Sequence, residues 1–168
     1  MFSWPEAIVP GGAELAAHEE WNEQTSLPWH LRAYPAHSGV ERLVAELNKL
    51  YVANRALHEL DFEPLTGFAW IDCDDQEQSV ISFIRRARSG AFVVVVLNFT
   101  PQPRYDYRIG VPDAGHYAEL MNSDALPYGG SNCGNFGGVA SEPVAWMGMA
   151  HSLRLQLPPL AALVLALP

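Results

Sequence analysis

"AFVVVVLNF", from Ala91 to Phe99, is the stretch that decides the fold. Its unbroken run of β-branched and other apolar residues is typical of a strand that is covered on both faces. The run is much shorter than the roughly 20 apolar residues that a membrane-spanning helix needs. Such a strand needs hydrogen-bonded neighbours and a packed layer on each side, so the surrounding sequence has to supply further strands.

Short strand-like segments stand on both sides of this run. "GFAWID" and "SVISFIRRA" precede it, and both alternate between apolar and polar positions. The segments that follow it are "YDYRIGV", "HYAELMNS", "SLRLQL" and "LAALVLAL". Turn-forming residues separate the segments, and no helical pattern lies between them. We therefore predict a mainly β fold, in which residues 63–168 form an antiparallel β-sandwich.

One segment before the strands has a helical period instead. In "SGVERLVAELNKLYVANRALHEL" the apolar residues recur at intervals of three and four, which places them on one face of a helix. Ser38 and Glu41 have the spacing of a capping box. We expect a helix from about Gly39 to about His58, and its wide apolar face requires another surface to pack against.

Charge and cysteine content narrow the classes of partner and location. The chain has 168 residues and a formal net charge of −9, with only ten Lys and Arg residues. These are scattered, whereas nucleic-acid binding needs concentrated positive charge, so we expect no nucleic-acid partner. No signal peptide or membrane span is recognisable, and we expect no membrane partner. Cys73 and Cys133 fit no metal spacing and are typical of reduced thiols in a cytoplasmic protein.

A glycine-rich stretch, "YGGSNCGNFGG" from Tyr128 to Gly138, invites comparison with phosphate-binding loops. It lacks the lysine of such loops, and no helical pattern follows it. We interpret it as a turn that needs positive backbone dihedrals and close packing. The acidic turn "DCDDQEQ" has Glu77 and Phe83 where a calcium loop has glycine and glutamate. We expect neither a metal nor a cofactor.

Aromatic residues near the N-terminus lie outside any periodic core pattern. Trp21 stands between Glu20 and Asn22, and Trp29 follows in a similar polar region. An aromatic ring can stack on the C–H face of a sugar while neighbouring amides and carboxylates bind the hydroxyls. The same pattern also fits an aromatic plug between packed layers, and the residues alone leave both interpretations open.

Eight segments of the chain occur in the same order in bacterial glycogen (1,4-α-glucan) branching enzymes, which belong to the α-amylase family. They are "EWNEQTSLPWHL", "GVERLVAELNKLY", "ALHELDFEP", "GFAWIDCDD", "SVISFIRR", "LNFTPQPRYDYRIGVP", "MNSDALPYGGSNCGN" and "HSLRLQLPPLAALVL". The chain resembles these enzymes from about Gly12 almost to Pro168. The resemblance implies that residues 1–62 hold the last strand, loop and final helix of a truncated (β/α)₈ barrel, and residues 63–168 the C-terminal β-sandwich. The missing catalytic barrel would then cover the apolar face of the helix.

The resemblance also implies an activity. Branching enzymes cut an α-1,4-glucan and transfer the piece to a 6-hydroxyl group with retention, which takes two carboxylates about 5 Å apart. In this family they project from the fourth, fifth and seventh barrel strands. No residue of this chain matches them, so we assign no catalytic residue and expect the chain alone to be inactive.

Substrate contacts are implied only around the loop after the eighth barrel strand. There Glu14 in "GAEL" matches a family glutamate, and the "EWN" motif follows. The chain departs from the family pattern at Ala17, usually glutamine, and at Pro28, commonly aspartate. The candidate residues for binding α-glucan are Glu14, Glu20, Trp21, Asn22 and Trp29. A stand-alone glucan-binding or structural module, and the C-terminal domain of another α-amylase-family enzyme, are the alternative functions.

Overall fold

The computed structural model describes residues 13–18, 22 and 24–168, and eight strands dominate this part of the chain. The strands are β1 Phe68–Asp75, β2 Val80–Arg86, β3 Phe92–Asn98, β4 Arg104–Val111, β5 His116–Asn122, β6 Gly138–Ala140, β7 His151–Leu157 and β8 Ala161–Ala166. The helices are α1 Pro35–Ala53 and α2 Pro64–Gly67. Short 3₁₀ segments span Ala13–Leu15, Trp29–Ala33, Arg55–Leu57 and Leu126–Tyr128.

The strands form two antiparallel sheets that pack face to face. Sheet A has the order β1-β2-β3-β8-β5-β6, and sheet B consists of β4 and β7. Side chains from both sheets meet in one apolar core, to which β3 and β8 contribute Val94 and Leu165, and β4 and β7 contribute Ile109 and Leu155. Alternation along each strand sends every second side chain into this core. The predicted antiparallel β-sandwich is confirmed.

Strand β3 is the best-covered element of the sandwich. It pairs with β2 on one side and β8 on the other. Val94 and Val96 point into the core between the sheets, whereas Val93 and Val95 belong to a second apolar cluster on the opposite face of sheet A. All four side chains are buried. The prediction of a strand covered on both faces is therefore confirmed.

Helix α1 and the turn after it cover that opposite face. Leu43 and Leu50 of α1 pack against the second cluster together with Leu57, and Ala56 lies within the cluster. Gly39 allows α1 to approach the 3₁₀ segment Leu126–Tyr128, because a Cβ atom there would stand 2.5 Å from the carbonyl oxygen of Tyr128. The helix thus packs on the sandwich through a glycine and two leucines.

The ends of α1 differ from the prediction. The helix begins at Pro35, at the first-turn position that proline favours, so the predicted start at Gly39 and the capping box are wrong. Ser38 lies inside the first turn, where its hydroxyl donates to the carbonyl oxygen of Pro35. The helix ends at Ala53 rather than near His58, because the Asn54 side chain accepts a hydrogen bond from the N–H of Ala56 and starts a 3₁₀ turn.

Two further expectations concern the chain's organisation. The resemblance places the last barrel strand and the turn after it in "AIVPGGAELA", from Ala7 to Ala16, and residues 7–12 of this segment lie outside the described residues. The boundary between residues 62 and 63 falls just before α2 and stays a prediction. No helix in the described residues is both long and apolar enough to span a membrane.

Candidate functional site

Of the predicted substrate-binding residues, Glu14, Asn22 and Trp29 are described, and they lie in the segments that precede α1. The segments Ala13–Leu15 and Trp29–Ala33 contact each other, and both contact α1. A hydrogen bond between the His37 ring and the carbonyl oxygen of Leu15, 2.7 Å long, fixes the first segment to the helix. Leu15 is fully buried there. The structure therefore brings the segments that carry Glu14 and Trp29 together.

The individual side chains differ in exposure. Glu14 is half-buried, and Trp29 is 54% exposed. Asn22 lies exposed in the loop between the two segments, where its side-chain oxygen accepts from the N–H of Gln24 at 2.9 Å. Glu20 and Trp21 lie outside the described residues. The assignment of these five residues to substrate binding stays a prediction.

The glycine-rich stretch is a tightly packed turn that carboxylates hold in place. Asp124 accepts from the N–H of Ser131 at 2.9 Å and from the N–H of Cys133 at 3.2 Å. Gly130 comes so close to Asp124 that a Cβ atom would stand 2.1 Å from its carbonyl oxygen. Gly129 has a φ of 87°, which is costly for other residues. The interpretation as a turn with positive dihedrals and close packing is confirmed.

Asn135 fastens the far end of this turn to both sheets. Its amide donates to Glu119 on β5 at 2.9 Å, and its side-chain oxygen accepts from the N–H of Gln156 on β7 at 2.9 Å. Nearby, burial raises the pKa of the Cys133 thiol, and the charges of Asp124 and Glu119 raise it further. The loop thus carries a protonated thiol rather than a reactive thiolate.

An exposed aromatic cluster lies on β1 and β2, and the sequence reasoning missed it. The Trp70 ring is 4.8 Å from the ring of Phe68 and 5.9 Å from that of Phe83, nearly perpendicular to each. Arg85, which pairs with Phe68 across the strands, forms an ion pair with Asp61. The signal was present in "GFAWID", where Phe68 and Trp70 alternate with the inward-facing Ile71.

No group of three or more His, Cys, Asp or Glu side chains in the described ranges is placed to hold a metal ion. The acidic turn between β1 and β2 has a structural use instead. Asp75 pairs with Val80 across the hairpin, and its carboxylate accepts a 2.7 Å hydrogen bond from the hydroxyl of Tyr107 on β4. This bond ties the hairpin end of sheet A to sheet B.

Comparison with known proteins agrees with this architecture. Residues 70–168 match the family model described as the α-amylase C-terminal all-β domain. Among solved structures, the chain resembles the catalytic module of the glycogen-degrading pneumococcal virulence factor SpuA, with a TM-score of 0.55 and 17% identity. That likeness covers 85% of this chain and 20% of the other. At this identity it supports the fold alone.

Curated relatives are much more similar in sequence. The chain is 51% identical over 155 residues to the 1,4-alpha-glucan branching enzyme GlgB of Aquifex aeolicus. This match covers 92% of the chain and 24% of the relative. The chain is also 56% identical over 158 residues to GlgB of Burkholderia thailandensis. This match covers 94% of the chain and 19% of the relative. The chain thus spans about a quarter or less of the length of these relatives, and the match lies in their C-terminal part.

The predicted resemblance to branching enzymes is confirmed, and neither alternative function is favoured. The sandwich, the family model and the relatives agree on one assignment. The chain belongs to the family of the α-amylase C-terminal all-β domain, in the form that ends the 1,4-α-glucan branching enzymes GlgB.

Proposed function

We propose that this chain serves as the C-terminal region of an enzyme that forms α-1,6 branches in glycogen by transferring α-1,4-glucan segments. The proposal rests on sequence identity. The chain is 51% and 56% identical to two branching enzymes over 92% and 94% of its length. The partners in this proposal are an α-glucan and a catalytic (β/α)₈ barrel. The two reacting carboxylates belong to the barrel, so the chain's own part is structural support and glucan contact.

Helix α1 offers the surface for the barrel. Gly39, Leu43 and Leu50 face the sandwich, while Leu47 and Tyr51 form a second apolar stripe on the helix. Leu47 is 41% exposed and Tyr51 is 47% exposed. Apolar side chains that recur at helical spacing and remain open to solvent are typical of a surface that packs against another domain. In this proposal the barrel covers the stripe, and α1 becomes a layer between barrel and sandwich.

Glucan contacts of the chain lie beside α1. The segments that carry Glu14 and Trp29 pack on the N-terminal part of the helix, so a barrel that covers α1 brings them close to its own loops. In this arrangement Glu14, Asn22 and Trp29 line the outer part of the substrate cleft, and Glu20 and Trp21 remain candidates from the sequence alone. A neutral glucan suits the negative net charge of the chain. Free Cys73 and Cys133 support a cytoplasmic location.

A chimeric enzyme tests the proposal. The matching C-terminal region of the Aquifex aeolicus relative is replaced by this chain, and branch formation on amylose is measured from iodine absorbance and from the chain lengths released by debranching. We expect the chimera to branch amylose, whereas the chain alone does not. A well-folded, soluble chimera without branching activity would contradict the proposal.

Two substitutions on α1 in the chimera locate the contact. Leu47→Lys places a charge on the exposed stripe, where it would be buried by the barrel, so we expect most of the activity to be lost. Arg42→Glu, at an exposed position on the side of α1 turned away from the stripe, is the control and should retain activity. Equal activity of the two variants would show that the stripe does not contact the barrel.

A further inference from the structure

An apolar pocket lies open at one end of sheet A. Leu97 of β3 and Ala162 of β8 are cross-strand partners, and they continue the alternation that places Val95 and Val164 in the second apolar cluster. They therefore belong to the face of sheet A on which α1 packs. The pocket has a volume of about 260 Å³, and no residue of α1 lines it in the described part of the chain. Helix α1 thus covers this face incompletely.

Two exposed apolar side chains form the rim of the pocket. Phe99 is 56% exposed and Leu160 is 69% exposed. The N–H of Phe99 donates to the carbonyl oxygen of Ser79 at 3.0 Å, and the N–H of Leu160 donates to the carbonyl oxygen of Thr100 at 2.8 Å. These bonds fix the turns that carry the rim, so the pocket keeps its shape before a partner arrives.

The polar side chains of the pocket are already bonded within the fold. The hydroxyl of Ser123 accepts a hydrogen bond from the N–H of Ala162 at 2.8 Å, and the buried Asn98 amide donates to the carbonyl oxygen of Pro158 at 2.8 Å. The pocket therefore offers little to a sugar, whose hydroxyl groups need convergent polar partners. A cavity of about 150 Å³ accepts a benzene molecule, so this pocket has room for one large apolar side chain.

The turn after β5 connects the pocket with α1. Ser123 lines the pocket, and the 3₁₀ segment Leu126–Tyr128 begins three residues later. This segment packs on α1 at Gly39, and its Leu126 side chain is exposed. A protein surface that rests on α1 therefore stands over the same face of sheet A as the pocket.

We infer that the pocket receives an apolar side chain of the catalytic barrel, as a second contact between barrel and sandwich beside the stripe of Leu47 and Tyr51. The inference rests on the proposed function, which brings the barrel onto α1. The curated relatives are long enough to contain such a partner, because this chain spans about a quarter or less of their length. The contact removes the apolar rim of Phe99 and Leu160 from water, which favours association.

The barrel fits the pocket better than a second copy of this chain does. A stable protein interface buries on the order of 1,000 Å² or more, which the pocket reaches only together with a neighbouring surface such as α1. A barrel that covers α1 meets both surfaces in one contact. Two copies of the chain would instead bring together two formal net charges of −9, and like charges oppose association.

Thiol labelling of the chain and of the chimera described above tests the pocket. Phe99→Cys places a thiol on the rim, and Phe136→Cys, at an exposed position on the glycine-rich turn, is the matched control. Peptide mass spectrometry follows the reaction of each cysteine with a maleimide. We expect Phe99→Cys to react about tenfold more slowly in the chimera than in the chain alone, because the barrel excludes the reagent. Phe136→Cys should react equally fast in both proteins.

A second pair of variants keeps the backbone conformation. Leu160 has a φ of 47° and Phe136 a φ of 52°, and asparagine tolerates this left-handed region. Leu160→Asn and Phe136→Asn should therefore leave the urea midpoint of the chain alone unchanged or slightly raised. In the chimera we expect Leu160→Asn to shorten the half-life of branching activity on heating several-fold, while Phe136→Asn leaves it unchanged.

Three results would overturn the inference. They are equal labelling of Phe99→Cys in the chain and the chimera, equal half-lives of the two asparagine variants, and slow labelling in the chain alone that becomes faster on dilution. The last result would show that a second copy occupies the pocket. The activity of the chimera is a separate readout. An active chimera with an unprotected pocket refutes only the pocket contact, and an inactive chimera with a protected pocket refutes only the proposed function.

Discussion

Strand β3 and helix α1 are both apolar in sequence, yet the structure buries them to very different extents. The four consecutive valines Val93–Val96 of β3 are buried on both faces of the strand, whereas Gly39 is the one buried residue of α1. The strand is enclosed by the sandwich core on one side and by the second cluster on the other. The helix uses one stripe for the sandwich and leaves another exposed. The sandwich therefore has an interior of its own, whereas the helix keeps an exposed apolar stripe, which packs against the barrel in the proposed function.

A matched pair of leucine substitutions tests this difference most strongly. Leu165 on β8 is fully buried in the core, while Leu47 on α1 is partly exposed. We expect Leu165→Ala to lower the free energy of unfolding by about 3 kcal/mol, through lost transfer energy and a cavity. Leu47→Ala should lower it by less than about 1 kcal/mol, because little buried area is lost. Urea unfolding measures both. Similar losses in the two variants would mean that α1 is as much a part of the core as β8.

Alkaline pH should weaken the sandwich through a buried tyrosine. Tyr117 on β5 is fully buried, its hydroxyl donates to the carbonyl oxygen of Asp113 at 2.9 Å, and burial raises the pKa of this tyrosine to about 12. An unfolded tyrosine has a pKa near about 10, so the folded state holds the proton more tightly. This contribution to stability is complete below about pH 10 and is lost as the pH rises toward about 12, to a total of roughly 2 kcal/mol.

Tyr117→Phe has no phenolic proton, so its stability should fall less over this pH range than that of the unaltered chain. Burial also raises the pKa of Tyr107, so some of the fall should remain. Tyr105→Phe, at an exposed position on β4, is the control and should leave the pH profile unchanged. Urea midpoints measured at several pH values provide the comparison. A profile that Tyr117→Phe does not alter would contradict the assignment.

A smaller, local effect is expected where the helix meets the sandwich. Gly39→Ala gains about 1 kcal/mol of helix propensity but forces its Cβ atom against the Tyr128 carbonyl oxygen. We expect a net loss of about 1 kcal/mol, expressed as faster amide exchange in α1 while β3 remains protected. Asn48→Ala, on the exposed side of α1, should slow exchange slightly. A Gly39→Ala chain that is more stable than the unaltered one would show that the close contact yields without cost.

Much of the sandwich could be predicted from sequence because its strands alternate or are continuously apolar. The strand β6 was missed, since its three residues begin with Gly138 in a glycine-rich loop where no side-chain period exists. It pairs with β5 over three residues, and Val139 is the side chain of β6 that packs against the sandwich core. The start of α1 was misplaced because Ser38 and Glu41 have capping spacing, while Pro35 is the residue that begins the helix. A sequence can contain more than one possible helix start. Here the extended backbone of Tyr34 and the proline at position 35 set the N-terminus of α1.

The candidate sites were harder to predict than the fold. Trp29 is a candidate because it lies in a polar region, whereas the sequence places Trp70 in a strand and does not indicate that its ring is exposed. The burial of each face of an edge strand depends on the elements that pack against it. Sequence periodicity does not show how far α1 extends over sheet A. The carboxylates around the glycine-rich turn were equally hidden, because Asp124 and Glu119 reach it across chain separations of up to sixteen residues.

The position of β8 has a consequence for how the molecule forms. This strand follows all the others in the sequence, yet it lies between β3 and β5 and is the only link between the two halves of sheet A in the described structure. During synthesis, the edge of β3 that pairs with β8 stays unpaired, because β8 begins more than sixty residues after β3 ends. An apolar strand with an open edge is prone to pair with other chains, so nascent copies of this protein should depend on chaperones until β8 has been made.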